Sequence, residues 1–291
     1  MFSGSYTAIV TPFKNGKVDF DTFEKLIEMQ YKAGITGIVP CGTTGESATL
    51  SHQEHDEVIE SAVKFAKGRI KVFAGTGSNS TVEAIRLSKH AEEVGCDGVL
   101  LVSPYYNKPT QQGLYLHYKE IANSIKIPVI LYNIQGRTSV NIEPKTIARL
   151  TKDCKNIVAV KEASGSLDQM SQIKILSPEI YLLSGDDSLT LPVMSIGGCG
   201  VISVLSNILP EEVADLVNTV LKGDLKKASE MHYKLFPLVK AMFMETNPIP
   251  VKAAMEMMGL CSGDLRLPMC SISDANKENL RNVLQSYGLI K

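Results

Sequence analysis

Short runs of β-branched and aliphatic residues alternate along the chain with longer stretches in which apolar positions recur every three or four residues. That alternation predicts βαβ units feeding a parallel sheet. Eight strands are expected: Tyr6 to Thr11, Gly37 to Cys41, Lys71 to Gly75, Gly98 to Ser103, Val129 to Asn133, Ile157 to Lys161, Tyr181 to Gly185 and Gly200 to Val204. Helical periodicity covers Asp21 to Ala33, Gln53 to Ala66, Val82 to Val94, Gln111 to Ile125 and Leu167 to Leu176. In the first of these, Phe23, Leu26, Ile27 and Tyr31 should form a stripe toward the sheet, leaving Glu24, Lys25 and Glu28 to water. The expected architecture is an α/β fold, a (β/α)8 TIM barrel.

A weak internal repeat supports the count. Gly34 to Gly37, Gly95 to Gly98 and Gly197 to Gly200 share the form G-x-x-G, in which the first glycine stops a helix and the second opens a closely packed strand. Pro210 with Glu211 and Glu212 opens the eighth helix, which should close near Lys222-Gly223. Beyond Asp224 the pattern is helical without strands, over Leu225 to Met244, Pro250 to Met258 and Ala275 to Tyr287. The division expected is a barrel over 1–223 and a C-terminal helical appendage over 224–291.

Composition narrows the function classes. A formal net charge of −1 supplies no field for nucleic acid or an anionic membrane, and no apolar run approaches the ~18 residues that span a bilayer. The N-terminus shows no cleavable signal, so a cytoplasmic protein is expected. The six cysteines include no C-x-x-C pair, and the neighbouring histidines His52 and His55 have no acidic third ligand at metal spacing. Neither a metal nor a cofactor is expected.

In such a barrel the chemistry sits at the C-terminal ends of the strands. Lys161 ends the apolar run Ile157 to Val160, where restricted water favours the free amine that condenses with a ketone. The competing role for such a lysine is a strand-end ion pair with Glu162, Asp186 or Asp187. Tyr132 ends the adjacent strand, so its phenol can pass protons in the same volume, unless it is simply a core tyrosine. Tyr105 and Tyr106 are consecutive and must point to different places. The turn Gly42-Thr43-Thr44-Gly45-Glu46 can aim backbone N–H groups at an anion such as a carboxylate, with the Thr44 hydroxyl available to relay a proton; it can equally be a tight structural turn.

Together, G-T-T-G-E, P-Y-Y-N, Y-N-x-x-x-R-T, V-K-E-A-S-G, L-S-G-D-D and N-P-I-P-V-K resemble the dihydrodipicolinate synthase family of pyruvate-dependent Schiff-base lyases over nearly the whole chain. The resemblance implies that Lys161 forms an imine with pyruvate and that Thr44, Tyr132 and Tyr106 relay protons, Tyr106 reaching in from a neighbouring subunit. The amides of Thr43 and Thr44 would hold the pyruvate carboxylate, and Arg137 would hold that of L-aspartate 4-semialdehyde. The backbone around Gly185 and Ile202 would shape the pocket. The product would be 4-hydroxy-tetrahydrodipicolinate, in lysine and diaminopimelate biosynthesis. The resemblance further implies a homotetramer of tight dimers and L-lysine bound by Ser47, Ala48, His52, His55, Asn79, Glu83 and Tyr105. Gln135 stands where relatives usually carry proline, which should loosen the loop bearing Arg137.

Within the same superfamily the rival readings are an N-acetylneuraminate lyase or a 2-keto-3-deoxy-sugar-acid aldolase. Arg137 argues against both, because a short aldehyde carrying a carboxylate needs a cation where a sugar acid needs hydroxyl-binding groups. A barrel that merely binds a keto acid without turnover is the reading from another class.

Overall fold

The eight apolar runs form a closed parallel barrel in the computed structural model, which describes residues 2–291. Its strands are β1 (Gly4–Thr7), β2 (Gly37–Ile38), β3 (Lys71–Gly75), β4 (Gly98–Val102), β5 (Val129–Asn133), β6 (Ile157–Glu162), β7 (Tyr181–Ser184) and β8 (Gly200–Ser203). β1 closes the ring by pairing with β8 through Gly4 and Gly200 and with β2 through Tyr6 and Gly37. Alternation divides each strand between two cores. Tyr6, Phe73, Leu100, Ile130, Tyr132, Ala159, Leu183 and Ile202 form an inner cluster, while Val99, Leu101, Leu131, Val160, Leu182 and Val201 join the cluster shared with the helices.

Strand ends differ from the sequence pattern where a polar group takes over the backbone. β1 stops at Thr7; beyond it the Val10 N–H donates to Asn207 Oδ1 at 3.1 Å and the Thr11 hydroxyl donates to Gly45 O at 2.7 Å. β2 is short because Pro40, lacking an N–H, cannot extend the ladder. The G-x-x-G joint behaves as expected: Gly95 has φ +87°, and a Cβ on Gly98 would stand 2.6 Å from Pro128 O.

The helix Phe20–Lys32 buries Phe23, Leu26, Ile27 and Gln30. The expected inward place of Tyr31 is thus corrected. Tyr31 is exposed, with the Arg69 guanidinium 4.2 Å above its ring. Gln30 points in instead, accepting from the Thr7 hydroxyl at 2.6 Å and donating to Ser206 O at 3.0 Å. The pattern also left unread a hairpin, Phe13–Lys14 with Lys17–Val18. Its turn residues Asn15 and Gly16 both have positive φ, the conformation that Asn-Gly favours between two strands. The helices Pro144–Asp153 and Thr190–Ser195 lacked a long apolar stripe.

Three further helices, Leu225–Ala241, Ile249–Met257 and Asp274–Ser286, follow the barrel. Their Leu235, Leu238, Val251, Met255, Leu280 and Leu284 belong to the same cluster as the outer faces of the strands. The segment after the second of them is clamped to the barrel. Arg266 donates from Nη2 to Glu54 Oε1 at 2.6 Å, and from Nη1 to Glu54 Oε2 at 2.8 Å and Thr49 O at 3.0 Å. This two-pronged contact, helped by the Ser51 N–H and hydroxyl, pulls the Glu54 carboxyl down to about 2. Among the described residues no helix is long and apolar enough to cross a membrane.

Candidate active site

Strands β5 and β6 place Tyr132 opposite Lys161 in register, and the Lys161 Nζ lies 4.1 Å from the centroid of the Tyr132 ring. Both side chains are buried, at 6% exposure for Lys161 and 5% for Tyr132. Among the described residues no carboxylate lies within ion-pair distance of Lys161, and the three carboxylates that could have held it are occupied elsewhere. Glu162 accepts from Asn133 Nδ2 at 3.1 Å, from the Ser164 N–H at 2.8 Å and from Gln169 Nε2 at 2.9 Å. Asp187 accepts the Val204 and Leu205 N–H groups, and Asp186 the Ser188 N–H and hydroxyl. Lys161 is therefore a buried amine facing an aromatic ring and free of ionic partners. Gly185 makes room for it: a Cβ there would stand 3.2 Å from Lys161 Cε and 2.7 Å from the Ala163 Cβ. Ile202, on β8, is buried in the same inner cluster as Tyr132.

The turn after β2 presents the second group. Thr44 is buried and Thr43 half-buried, and the N–H groups of both donate to no protein acceptor among the described residues. Unpaired, adjacent amides on a tight turn form a cradle for an anion. What holds the turn open lies far away in sequence. Glu46, in the left-handed region at φ +54°, is buried and paired with the fully buried Lys252 at 2.6 Å. Lys252 also donates to Asp264 O at 2.7 Å, and the Arg266 N–H donates to the second Glu46 oxygen at 3.2 Å. Burial pulls the Lys252 ammonium below its ordinary value, and the Glu46 carboxylate opposes that shift. Removing one member of such a pair costs about 3–5 kcal/mol, because the other charge stays buried alone.

Arg137 sits on the one-turn helix Gln135–Thr138 that follows β5, and its Nη2 donates to the backbone carbonyl of Asn247 at 3.0 Å. The amide Nδ2 of the same Asn247 donates to the Thr44 hydroxyl oxygen at 2.9 Å. At Gln135 the turn is closed without proline: the Arg137 and Thr138 N–H groups both donate to Ile134 O at 3.1 Å.

Thr43, Arg137 and Asn247 line a cavity of about 480 Å3 that continues past Ser47, Ala48, His52, His55, Glu83 and Tyr105. Within it His52 Nε2 is 3.1 Å from Glu83 Oε1, and the Ser78 hydroxyl donates to the other Glu83 oxygen. His55 is buried, and burial lowers its affinity for a proton; Nε2–H donates to Gly75 O at 2.9 Å, which fixes the neutral tautomer. Asn79 is not part of the lining, but its amide donates to Tyr105 O at 3.2 Å. Tyr106 stands apart from all of these. It is 90% exposed, with φ +73°, an uncommon conformation for a bulky residue, and its ring is directed away from its own chain.

The structure thus joins Lys161, Tyr132 and Gly185 in one group and Thr43, Thr44 and Arg137 in another, leaving Tyr106 outside both. Asn247, Lys252 and Glu46 were not read as site residues. The signals in the chain are a lysine inside the apolar run Ile249 to Met255 and an acid ending the turn Gly42 to Glu46.

The profile of the dihydrodipicolinate synthetase family matches residues 1–287. The chain is 67% identical over 291 residues, the full length of both, to the 4-hydroxy-tetrahydrodipicolinate synthase of Endomicrobium trichonymphae. Two solved structures are similar over nearly all of their length. One is the chloride-inhibited dihydrodipicolinate synthase of Acinetobacter baumannii complexed with pyruvate, at 43% identity, TM-score 0.97 and full coverage of both chains. The other is the enzyme of Cyanidioschyzon merolae with lysine bound, at 42% identity, TM-score 0.96 and 99% coverage of each chain.

Proposed function

We propose, proceeding from the fact that the chain belongs to the dihydrodipicolinate synthetase family, that it is a Schiff-base-forming lyase condensing pyruvate with L-aspartate 4-semialdehyde. The observation that carries this reading is the buried Lys161 amine, free of ionic partners and 4.1 Å from the Tyr132 ring. In this reading the Thr43 and Thr44 amides hold the pyruvate carboxylate. The Lys161 amine adds to the ketone carbon, a proton reaches the carbinol oxygen through the relay, and water leaves to give the imine. Loss of a methyl proton then gives the enamine, whose carbon attacks the aldehyde of the second substrate and forms the new C–C bond. That substrate's own amine displaces Lys161 from the imine carbon, closing the ring and releasing 4-hydroxy-tetrahydrodipicolinate. The product's ring with two carboxylates suits a precursor of diaminopimelate and lysine, made in the cytoplasm.

Tyr132 and Thr44 carry the protons together with Tyr106 of the partner subunit, in a homotetramer built from tight dimers. The exposure of Tyr106 supports that assignment, since in its own chain it meets no site group. Gly185 and Ile202 shape the pocket around the imine. The division into a barrel over 1–223 and an appendage over 224–291 is functional in one respect: the appendage supplies Asn247 and Lys252 to the site.

A coupled assay tests the reading. Turnover is expected with pyruvate and aspartate semialdehyde and none with N-acetylneuraminate. Arg137→Ala should raise the KM for the semialdehyde by at least tenfold, about 1.4 kcal/mol, while pyruvate is still trapped by borohydride at close to the wild-type yield. Equal loss for both substrates would assign Arg137 a structural role.

L-lysine is the proposed inhibitor, held by Ser47, Ala48, His52, His55, Asn79, Glu83 and Tyr105. The shared cavity and the lysine-bound relative support this. Glu83 can pair with an ammonium, and neutral His55 faces one without charge repulsion. Initial rates should fall at millimolar L-lysine, and His55→Lys should abolish that fall by placing a like charge in the cavity. A wild-type rate indifferent to millimolar lysine would remove the regulatory assignment and leave the catalytic one standing.

A further inference from the structure

We infer that Asn247 is a positioning residue for the proton relay, acting through the Thr44 hydroxyl; the inference rests on the role proposed above for Thr44. The geometry is local and specific. Asn247 lies in the bend between the helices Leu225–Ala241 and Ile249–Met257, at 6% exposure, and lines the same cavity as Thr43 and Arg137. Its Nδ2 donates to Thr44 Oγ1 at 2.9 Å.

A threonine hydroxyl is a free rotor with one hydrogen to give and two lone pairs to offer. Left alone, it spends its time in several orientations, only one of which hands the hydrogen to the next relay member. Once the amide N–H occupies one lone pair, the hydroxyl hydrogen must point away from Asn247. Among the described residues Thr44 makes no other hydrogen bond through its side chain, so the Asn247 contact sets the rotor. The main chain of Asn247 does different work, its carbonyl receiving Arg137 at 3.0 Å. The side chain and backbone of one residue therefore address the proton relay and the carboxylate-binding Arg137 separately. Substitution of the side chain removes only the first.

Lys252, five residues after Asn247, is locked to Glu46 at 2.6 Å. The bend carrying Asn247 is thereby tied to the loop carrying Thr44 at a second point.

The test is a double-mutant cycle on the full-length enzyme. Asn247→Ala should lower kcat by about 10- to 100-fold, as part of the 10²–10⁴ available to a positioned proton relay, and should move the semialdehyde KM by less than about twofold. In a Thr44→Val background the same substitution should have no further effect on kcat, because the rotor it governs is gone. A structural defect would multiply with Thr44→Val instead. Asn247→Asp guards against misfolding of the alanine variant. It keeps the shape, but an ionised carboxylate accepts the Thr44 hydrogen and turns it away from the site, so a comparable loss is expected at pH 8. Wild-type kcat in Asn247→Ala or Asn247→Asp, or losses that multiply in the double variant, would overturn the inference while sparing Thr44. A Thr44→Val enzyme with the wild-type rate would instead overturn the relay itself, and the role of Asn247 with it.

Discussion

Replacing Lys161 with alanine or arginine is expected to bring imine formation with pyruvate below detection, and turnover with it. Alanine has no amine, and a guanidinium stays protonated and cannot add to a ketone. Lys161 and Lys252 are the buried lysines among the described residues, and Lys252 cannot take over. Lys252, the other buried lysine, is held at 2.6 Å from Glu46 on one side and donates to Asp264 O on the other, so its nitrogen has no free approach. Lys174 and Lys71 are engaged at the surface, with the Pro178 and Ile180 carbonyls and with Asp97. Borohydride reduction of the enzyme–pyruvate mixture, followed by peptide mass spectrometry, should find one adduct in the wild type, on Lys161, and none in either variant. An adduct on a different lysine would refute the central assignment. Folding should survive Lys161→Ala, because no side-chain ion pair or hydrogen bond of Lys161 is lost among the described residues; the thermal midpoint provides the control for both variants.

Tyr132→Phe should keep the ring beside Lys161 and lose only the hydroxyl. A fall in kcat of about 10²–10⁴ is expected, the usual share of a positioned proton carrier. Thr44→Val should act on the same scale, with one difference that the structure makes specific. Valine leaves the Asn247 amide buried without an acceptor, at a cost of about 1–3 kcal/mol in stability that Tyr132→Phe does not incur. Two measurements therefore separate the variants: both slow the reaction, and only Thr44→Val lowers the thermal midpoint. Rates close to wild type in both would take the two hydroxyls out of the mechanism.

The barrel was legible in the chain because most strands bury both faces and so read as apolar runs, as in Val129–Asn133 and Ile157–Glu162, while the longer outer helices repeat a stripe every three or four residues. The end of such a run is also where a barrel keeps its chemistry, and Lys161 and Tyr132 could be placed from position alone; the motifs around them carried the family. Elements with little apolar content escaped, as with the helix Pro144–Asp153 and the hairpin at Asn15-Gly16. Tyr31 was misplaced because periodicity locates a stripe to within one residue, whereas Gln30 wins the inward position through two buried hydrogen bonds.

What only the tertiary structure decided is how the loops at the barrel mouth are held. Glu46 meets Lys252 across 206 positions of sequence, and Thr44 meets Asn247 across 203. Local patterning reports which face of an element seeks the core, since that is set by neighbours three or four residues away. It carries no information about which buried polar group satisfies another, since that depends on where the folded chain returns. A buried charge or amide must find its partner at hydrogen-bond distance or go without. The identity of each partner therefore becomes defined when the C-terminal helices pack over the barrel, and at no earlier level of structure.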